Sequence, residues 1–194
     1  MVEVALAAGL GGIAVTDHDS VEGAIEARRF APPGFIVING FERSTDAGDI
    51  LGYFVHSVPE SEDPVEVIRA IKAQGGLAVM AHPFASRLSL PKAVVEQLHG
   101  IEGFNARHPE PAAPDFGPEQ MEAFARANRL TLTANSDAHT YAEIGRARTV
   151  MPGSTEDDVR QAILRGTTVL VRPPKGGLDA LKARTAGFFR RLAR

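Results

Sequence analysis

Ionisable side chains follow four of the predicted strands of this sequence, at the point where each apolar run ends. Asp17, His18 and Asp19 come after Gly12–Thr16, Glu42 after Phe35–Asn39, His82 after Leu77–Ala81, and Asp137 and His139 after Leu130–Ala134. The carboxyl ends of parallel strands lie at one face of a sheet, where α/β proteins carry their active sites. These side chains are therefore expected to share one pocket, and imidazoles gathered with carboxylates are the ligands of a divalent metal centre.

Each of these residues also has an ordinary structural explanation when it is taken singly. His18 or His82 fits a hydrogen-bonded structural histidine, and Asp17 or Asp137 fits a helix cap or a turn. The joint pattern favours a metal site, because several uncompensated carboxylates at one place need cations to neutralise them. Mixed imidazole and carboxylate ligation suits Zn, Mn or Fe better than a Ca or Mg cage.

The elements that position these residues follow an alternating order. Short runs rich in Val, Ile, Leu and Phe alternate with longer amphipathic stretches, which predicts an α/β chain of parallel strands covered by crossover helices. The predicted strands are Gly12–Thr16, Phe35–Asn39, Asp49–Val55, Leu77–Ala81, Ile101–Asn105, Leu130–Ala134 and Thr167–Val171. The predicted helices are Val21–Arg29, Pro64–Gln74, Pro91–Leu98, Pro118–Asn128 and Thr155–Arg165.

Composition limits the classes of function. The 194 residues, 44% of them hydrophobic, fit one domain with a substantial core. A net charge of -3 and a pI near 6.1 give no global attraction to nucleic acid or to an anionic membrane. The chain has no cysteine, so any metal must be held by nitrogen and oxygen ligands. No apolar run reaches the roughly 20 residues that span a bilayer, and the start lacks a secretory signal, so a cytoplasmic location is expected.

Four strings of the sequence resemble, in order and spacing, successive motifs of the polymerase and histidinol phosphatase (PHP) superfamily. They are Gly12-Ile13-Ala14-Val15-Thr16-Asp17-His18-Asp19, Gly40-Phe41-Glu42-Arg43-Ser44-Thr45, Ala81-His82-Pro83 and Asn135-Ser136-Asp137-Ala138-His139-Thr140. The resemblance covers residues 1–171 and implies a distorted (β/α)7 barrel with up to three divalent metal ions at the carboxyl end of its strands. It implies that His18, Glu42, His82, Asp137 and His139 are metal ligands.

The resemblance also implies a catalytic role for two aspartates. Asp17 would orient a metal-bound imidazole, which such histidines usually require, and Asp137 would orient the attacking water. At the third strand, where relatives often place a histidine, Asp49 is either a substitute ligand or a polar residue at a strand start. Arg107, Arg43 and His108 are candidate substrate-binding residues near strand ends or site motifs, with Arg146 as a further candidate. A surface or ion-paired arginine is the alternative for each.

One departure from the superfamily pattern concerns the first strand. Its members normally begin with a strand that ends in a metal-binding His-x-His pair, and no histidine precedes Asp17 here. The chain opens with Val2–Leu10, which resembles the second half of a crossover helix. We therefore expect a barrel that is incomplete at its first strand. Either the numbering begins at an internal methionine of a longer protein, which we favour, or the natural chain is this short.

The predicted activity is hydrolysis of a small phosphomonoester or nucleotide, in which a metal-activated water attacks phosphorus. The absent His-x-His pair supports an alternative, a non-catalytic or partly metal-binding PHP-fold module with a regulatory or assembly role. Another metal-dependent hydrolase, such as an amidohydrolase, is a third reading. The PHP-type domain is expected to end at residue 171, followed by a linker over 172–177 and a basic helix over 178–194 that docks on the barrel or makes weak contact with a membrane or a partner.

Overall fold

A computed structural model describes residues 1–83, 89–109 and 117–173 of the chain. Its strands are β1 (Gly12–Val15), β2 (Ile36–Thr45), β3 (Gly48–Tyr53), β4 (Leu77–Met80), β5 (Gly100–Asn105), β6 (Thr131–Asn135), β7 (Arg148–Val150) and β8 (Val169–Val171). Its helices are α1 (Val2–Ala7), α2 (Glu22–Arg29), α3 (Pro64–Ala73), α4 (Lys92–Val95), α5 (Pro118–Asn128) and α6 (Glu156–Arg165), with a 3-10 turn at Tyr141–Glu143. None of the helices in these ranges has the length and hydropathy required to cross a bilayer.

Six strands form one sheet in the order β1-β2-β3-β4-β5-β6, while β7 and β8 form a separate antiparallel pair. The β1–β2, β4–β5 and β5–β6 pairs are parallel, as the alternation of strands and helices predicts. Within the described residues, β1 pairs with a strand on one side only. The α/β fold and the incomplete barrel expected at the first strand are therefore confirmed.

The expectation that all the site-bearing strands are parallel is wrong for β3, which runs antiparallel to both β2 and β4. β2 continues to Thr45, beyond the predicted end at Asn39, and a two-residue turn at Asp46 and Ala47 leads directly into β3. A connection this short joins antiparallel neighbours, because a parallel crossover needs a dozen or more residues. As a result, Asp49 at the start of β3 lies at the same end of the sheet as the carboxyl ends of β2 and β4.

The two faces of the sheet bury different apolar side chains, as the period of two along a strand requires. In β4, Ala78 and Met80 belong to the core cluster that includes α3, whereas Leu77 and Val79 belong to a second cluster with Ile163 of α6. Helix α6 contacts both β2 and β6, which are four places apart in the sheet. The sheet therefore curls around α6, and the ends of its outer strands approach one another.

Two predicted helix starts are confirmed by their caps. The Asp63 carboxylate accepts a hydrogen bond from the Glu66 N–H at the start of α3, and the Thr155 hydroxyl accepts one from the Asp158 N–H at the start of α6. The predicted basic helix over 178–194, and the predicted linker beyond residue 173, lie outside the described residues. They remain predictions.

Candidate metal centre

The loop after β1 continues alongside β2 and brings His18 opposite Glu42. The Glu42 N–H donates to the Asp17 carbonyl, and the Asp19 N–H donates to the Glu42 carbonyl, so the parallel pairing extends past the end of β1. The imidazole Nε2 of His18 lies 3.9 Å from a carboxylate oxygen of Glu42. Glu42 is buried, whereas His18 is exposed.

Glu42, Asp49 and His82 form the first of two groups whose ligand atoms all lie within 4.8 Å of one another. The Nε2 atom of His82 is 3.4 Å from Glu42 Oε1 and 3.7 Å from Asp49 Oδ2. Asp49 reaches this group because β3 is antiparallel to β4, so that the Ala81 N–H donates to the Asp49 carbonyl beside His82. Of the two readings of Asp49, this geometry favours the substitute ligand.

His82, His108 and Asp137 form the second group, also within 4.8 Å. The His82 and His108 rings have centroids 4.9 Å apart, and Nε2 of His108 is 4.0 Å from Asp137 Oδ2. The role of His108 in substrate binding stays a prediction. Its ring lies in this ligand group, three residues after the end of β5.

The electrostatic environment of His82 favours a cation between these side chains. Burial lowers the pKa of His82, but the hydrogen bond to Glu42 and the charges of Glu102, Glu42 and Asp49 outweigh burial and raise this pKa to about 9. The imidazole therefore sits in a negative potential that a divalent ion could neutralise. The nitrogen and carboxylate oxygen donors fit Zn, Mn or Fe.

Two candidate ligands have backbone conformations that side chains rarely adopt. The φ angle is +27° at His82 and +48° at Asp137. Such conformations cost about 1–3 kcal/mol each and persist only where the surrounding structure holds them. Each lies two residues after the end of a strand, His82 after β4 and Asp137 after β6.

Sequence reasoning missed the buried carboxylate of Glu102 on β5, which is 3% exposed. It accepts hydrogen bonds from the His82 N–H at 2.6 Å, from Asn105 Nδ2 at 2.9 Å and from Asn135 Nδ2 at 2.6 Å. Burial raises the pKa of Glu102, and these hydrogen bonds act in the opposite direction. The available signal was a charged residue in the middle of an apolar strand, since such residues are almost never fully buried without partners.

The remaining predicted ligands lie beside the two groups. His139 is exposed, and its Nδ1 is 3.4 Å from Asp137 Oδ1; His18 neighbours Glu42 as described above. Asp17 is exposed, and its carboxylate lies against Gly23 of α2, so closely that a Cβ at Gly23 would collide with it. The structure therefore brings Glu42, Asp49, His82 and Asp137 together with His108, and places His18 and His139 at the edges.

The candidate substrate-binding arginines differ in their surroundings. Arg43 forms an ion pair with Asp19 at 2.6 Å and donates to the carbonyls of Ser61 and Glu60, so its guanidinium fastens a loop. Arg107 Nη1 lies 3.5 Å from Glu143 Oε1, and Arg146 Nη1 lies 3.9 Å from the same oxygen. Those two guanidinium groups are about half exposed, at 42% and 55% of the side chain.

A cavity of about 1130 Å³ opens beside both ligand groups. Its lining includes His18, Glu42, His82, Asp137 and His139, together with the open side of β1. Cavities that take small molecules commonly measure about 300–1,000 Å³. This cavity is slightly larger than that range.

Part of this chain matches a family model, and a longer part matches one curated protein. The family model described as PHP-associated matches residues 119–168. An uncharacterized protein of Methanocaldococcus jannaschii is 35% identical over 115 residues, which span 56% of this chain and 66% of that protein.

Solved structures with the same fold are more distant in sequence. A two-domain protein of Bacteroides vulgatus that contains a predicted PHP-like metal-dependent phosphoesterase superposes with a TM-score of 0.66 at 18% identity, over 90% of this chain and 60% of that one. A proposed metal-dependent phosphoesterase of Bifidobacterium adolescentis gives 0.60 at 19% identity, over 85% and 89% of the two chains. An amidohydrolase of Chromobacterium violaceum, solved with sulfate and without metal, gives 0.55 at 17% identity, over 90% and 92%.

At identities below a fifth, these structures show a common fold. This chain spans slightly less than two thirds of the archaeal relative, at 66%, and 60% of the Bacteroides protein. The PHP-associated match over residues 119–168 and the fold shared with PHP-like proteins support membership of the PHP superfamily.

Proposed function

We propose that this chain is a metal-dependent phosphoester hydrolase that acts on a small phosphomonoester or a nucleotide. The observation that carries the proposal is the pair of ligand groups that share His82 beside one large cavity. Divalent metal ions, when bound, lower the pKa of a coordinated water and stabilise charge on phosphate oxygens, so that no side-chain nucleophile is required.

The ligand assignment follows the two groups. Glu42 and Asp49 would hold one ion and His108 and Asp137 another, and His82 would be a ligand of one of the two, because a neutral imidazole has one free lone pair. His18 and His139 stay candidate ligands, because each is exposed and lies within 4 Å of a carboxylate of one group. The donor set contains no sulfur, which is consistent with Zn, Mn or Fe.

Asp137 is the residue we assign to orienting the attacking water. Asn105 Nδ2 donates to its Oδ2 atom at 3.2 Å, and His139 Nδ1 lies 3.4 Å from its Oδ1 atom, so both carboxylate oxygens have defined neighbours. A carboxylate held in this way can accept a proton from water without first reorienting. The orienting role of Asp17 remains a prediction, since its carboxylate contacts α2 through Gly23.

Arg107 and Arg146 are the groups we assign to the substrate phosphate. Both lie within 4 Å of Glu143, so their positive charges are held near each other. Arginine suits this role because its paired donors match two phosphate oxygens. A substrate role for Arg43 would require its loop contacts to break, which makes it the weakest of the three. The net charge of -3 favours a small substrate over a long nucleic acid.

The test combines metal analysis with turnover. The full chain would be stripped with a chelator, reloaded separately with Zn, Mn or Fe, and assayed on phosphomonoesters, nucleotides and N-acyl substrates. We expect bound metal and phosphoester hydrolysis, which His82→Ala and Asp137→Asn abolish. His56→Ala is the matched control, because His56 is exposed and lies in neither ligand group.

Four outcomes would contradict the proposal. A chain that retains no metal after reloading would lack the site. Bound metal with no turnover on any ester would favour the non-catalytic module, and selective turnover of N-acyl substrates would favour an amidohydrolase. Phosphoester hydrolysis that survives in His82→Ala would identify the activity as a contaminant.

A further inference from the structure

The carboxylate of Glu102 connects residues of the second ligand group although it belongs to neither group. Its Oε2 atom accepts the His82 N–H and the Nδ2–H of Asn105, and its Oε1 atom accepts the Nδ2–H of Asn135. All three donors sit at or just after the ends of strands β4, β5 and β6. A single buried carboxylate therefore joins the ends of three neighbouring strands.

Asn105 extends these contacts to the other two members of the group. Its Nδ2 atom also donates to Asp137 Oδ2 at 3.2 Å. Its Oδ1 atom accepts the Arg107 N–H at 2.8 Å and the His108 N–H at 3.0 Å. Consequently His82 is tied to Glu102 directly, and Asp137 and His108 are tied to it through one buried side chain.

The hydrogen bonds of Glu102 and Asn105 act on two ligands whose backbones have positive φ angles, His82 and Asp137. The positive φ angle of His82 is held by the hydrogen bond from its own N–H to Glu102. The Asp137 backbone, also at positive φ, places its carboxylate in reach of Asn105. Without these acceptors and donors, both residues are free to relax to ordinary conformations that aim their side chains elsewhere.

We infer that Glu102 is a positioning residue, which through Asn105 and Asn135 sets the separation of the His82, His108 and Asp137 ligand atoms and so the affinity of this site for metal. This inference rests on the proposed function, because it assumes that those three residues bind the ion. Groups behind metal ligands commonly contribute 10–100-fold to metal affinity.

The decisive variant pair reverses one hydrogen bond. Glu102→Gln keeps the shape of the side chain but replaces one accepting oxygen with an amide NH₂ group. That NH₂ group then faces a donor: Asn135 if it replaces Oε1, or His82 and Asn105 if it replaces Oε2. Adding Asn135→Asp restores an acceptor for that amide and returns the negative charge. Tyr53 and Thr133, whose hydroxyl oxygens lie 3.4 Å from Asn135 Nδ2, can donate to the new carboxylate.

The readouts are Co²⁺ affinity and the visible absorption of bound Co²⁺, which reports ligand geometry, measured on the full chain. We expect Glu102→Gln to weaken binding about 10–100-fold with an altered spectrum. Glu102→Gln/Asn135→Asp should recover most of the affinity and the original spectrum. Thr131→Val is the control, because its buried hydroxyl donates to the Ile163 carbonyl, away from the site. It should lower the melting temperature and leave Co²⁺ affinity unchanged.

The outcomes separate this inference from the proposed function. A wild-type chain that binds no Co²⁺ overturns both. A wild-type chain that binds Co²⁺, with Glu102→Gln equal to it in affinity and spectrum, overturns only the positioning role. A folded double variant that binds as weakly as Glu102→Gln also overturns that role. If Glu102→Gln does not fold, Asn105→Ser carries the same prediction without removing a charge, and wild-type affinity in that variant overturns the inference.

Discussion

The hydroxyl of Thr149 makes the two backbone hydrogen bonds at Ala134 of β6 that a neighbouring strand would otherwise make. It accepts a hydrogen bond from the Ala134 N–H at 2.9 Å and donates one to the Ala134 carbonyl at 3.0 Å. Ala134 is 1% exposed, and it directly precedes Asn135, which donates to Glu102. We predict that Thr149→Val, which keeps the side-chain shape and removes both hydrogen bonds, destabilises the part of β6 that carries Asp137.

The magnitude follows from two backbone groups left buried without partners. Each unsatisfied group costs about 1–3 kcal/mol, so Thr149→Val should lower the free energy of unfolding by about 2–6 kcal/mol. Thr149→Ser is the matched control: it keeps the hydroxyl and loses one methyl group, worth about 0.8 kcal/mol. The difference between the two variants isolates the hydrogen bonds from the lost packing.

Urea unfolding followed by circular dichroism measures these free energies, provided that the slope of the transition is the same in both variants. Amide hydrogen exchange at Ala134 supplies a local readout, because its N–H is expected to exchange faster only in Thr149→Val. If the unfolding free energy of Thr149→Val lies within about 1 kcal/mol of that of Thr149→Ser, the reasoning that this hydroxyl replaces a strand is refuted.

Three further predictions concern pH, a loop and metal. Burial lowers the pKa of His99, whose Nδ1 accepts the Ala78 N–H, so the unfolded chain binds the proton more readily. His99 should therefore contribute stability that is fully present above the unfolded pKa of about 6.5 and is lost as pH falls through the folded value, so that over this window the wild type loses more stability than His99→Asn in parallel denaturation curves. Glu143→Ala, which removes the acceptor, should speed amide exchange at His139 and Thr140, whose N–H groups both donate to the Glu143 carboxylate, and unchanged exchange would contradict that contact. Metal at about 100 times its Kd should stabilise the chain by about 2.7 kcal/mol and raise Tm by roughly 5–11 °C, and a chelator should reverse the gain.

The element order could be predicted from sequence because the signals are local. Leu77–Met80 is an apolar run of strand length, and Asp63 before Pro64 marks a helix start that the structure reproduces as a side-chain cap. Such features depend on neighbouring residues only. The same holds for the motif residues Glu42 and His82, which belong to the ends of strands whichever way the sheet is ordered.

The direction of β3 could be predicted from the sequence. Even with the second strand ending at Asn39, the gap before Asp49 is nine residues, fewer than the dozen or more that a parallel crossover needs. The strand runs to Thr45, so only Asp46 and Ala47 separate β2 from β3. Gly48, with φ at +111°, supplies the left-handed backbone that a tight turn requires. Because β2 extends to Thr45, the connection to β3 is short enough only for an antiparallel pair.

The hydrogen bonds behind the ligands could not be predicted, because they depend on which strand ends face each other across the curled sheet. Glu102 and His82 are 20 positions apart, and Asn135 follows Glu102 by a further 33. What the sequence does contain is a conflict: a carboxylate at the centre of the apolar strand Gly100–Asn105. Burying that charge without partners would cost several kcal/mol, so the position makes sense only if donors converge on it from outside the strand. The donors to Glu102 are the His82 N–H and the side-chain amides of Asn105 and Asn135, which lie at or just after the strand ends that carry the predicted ligands. A charged residue inside a strand next to a metal motif is therefore a usable sequence signal for the residue that holds the ligands in place.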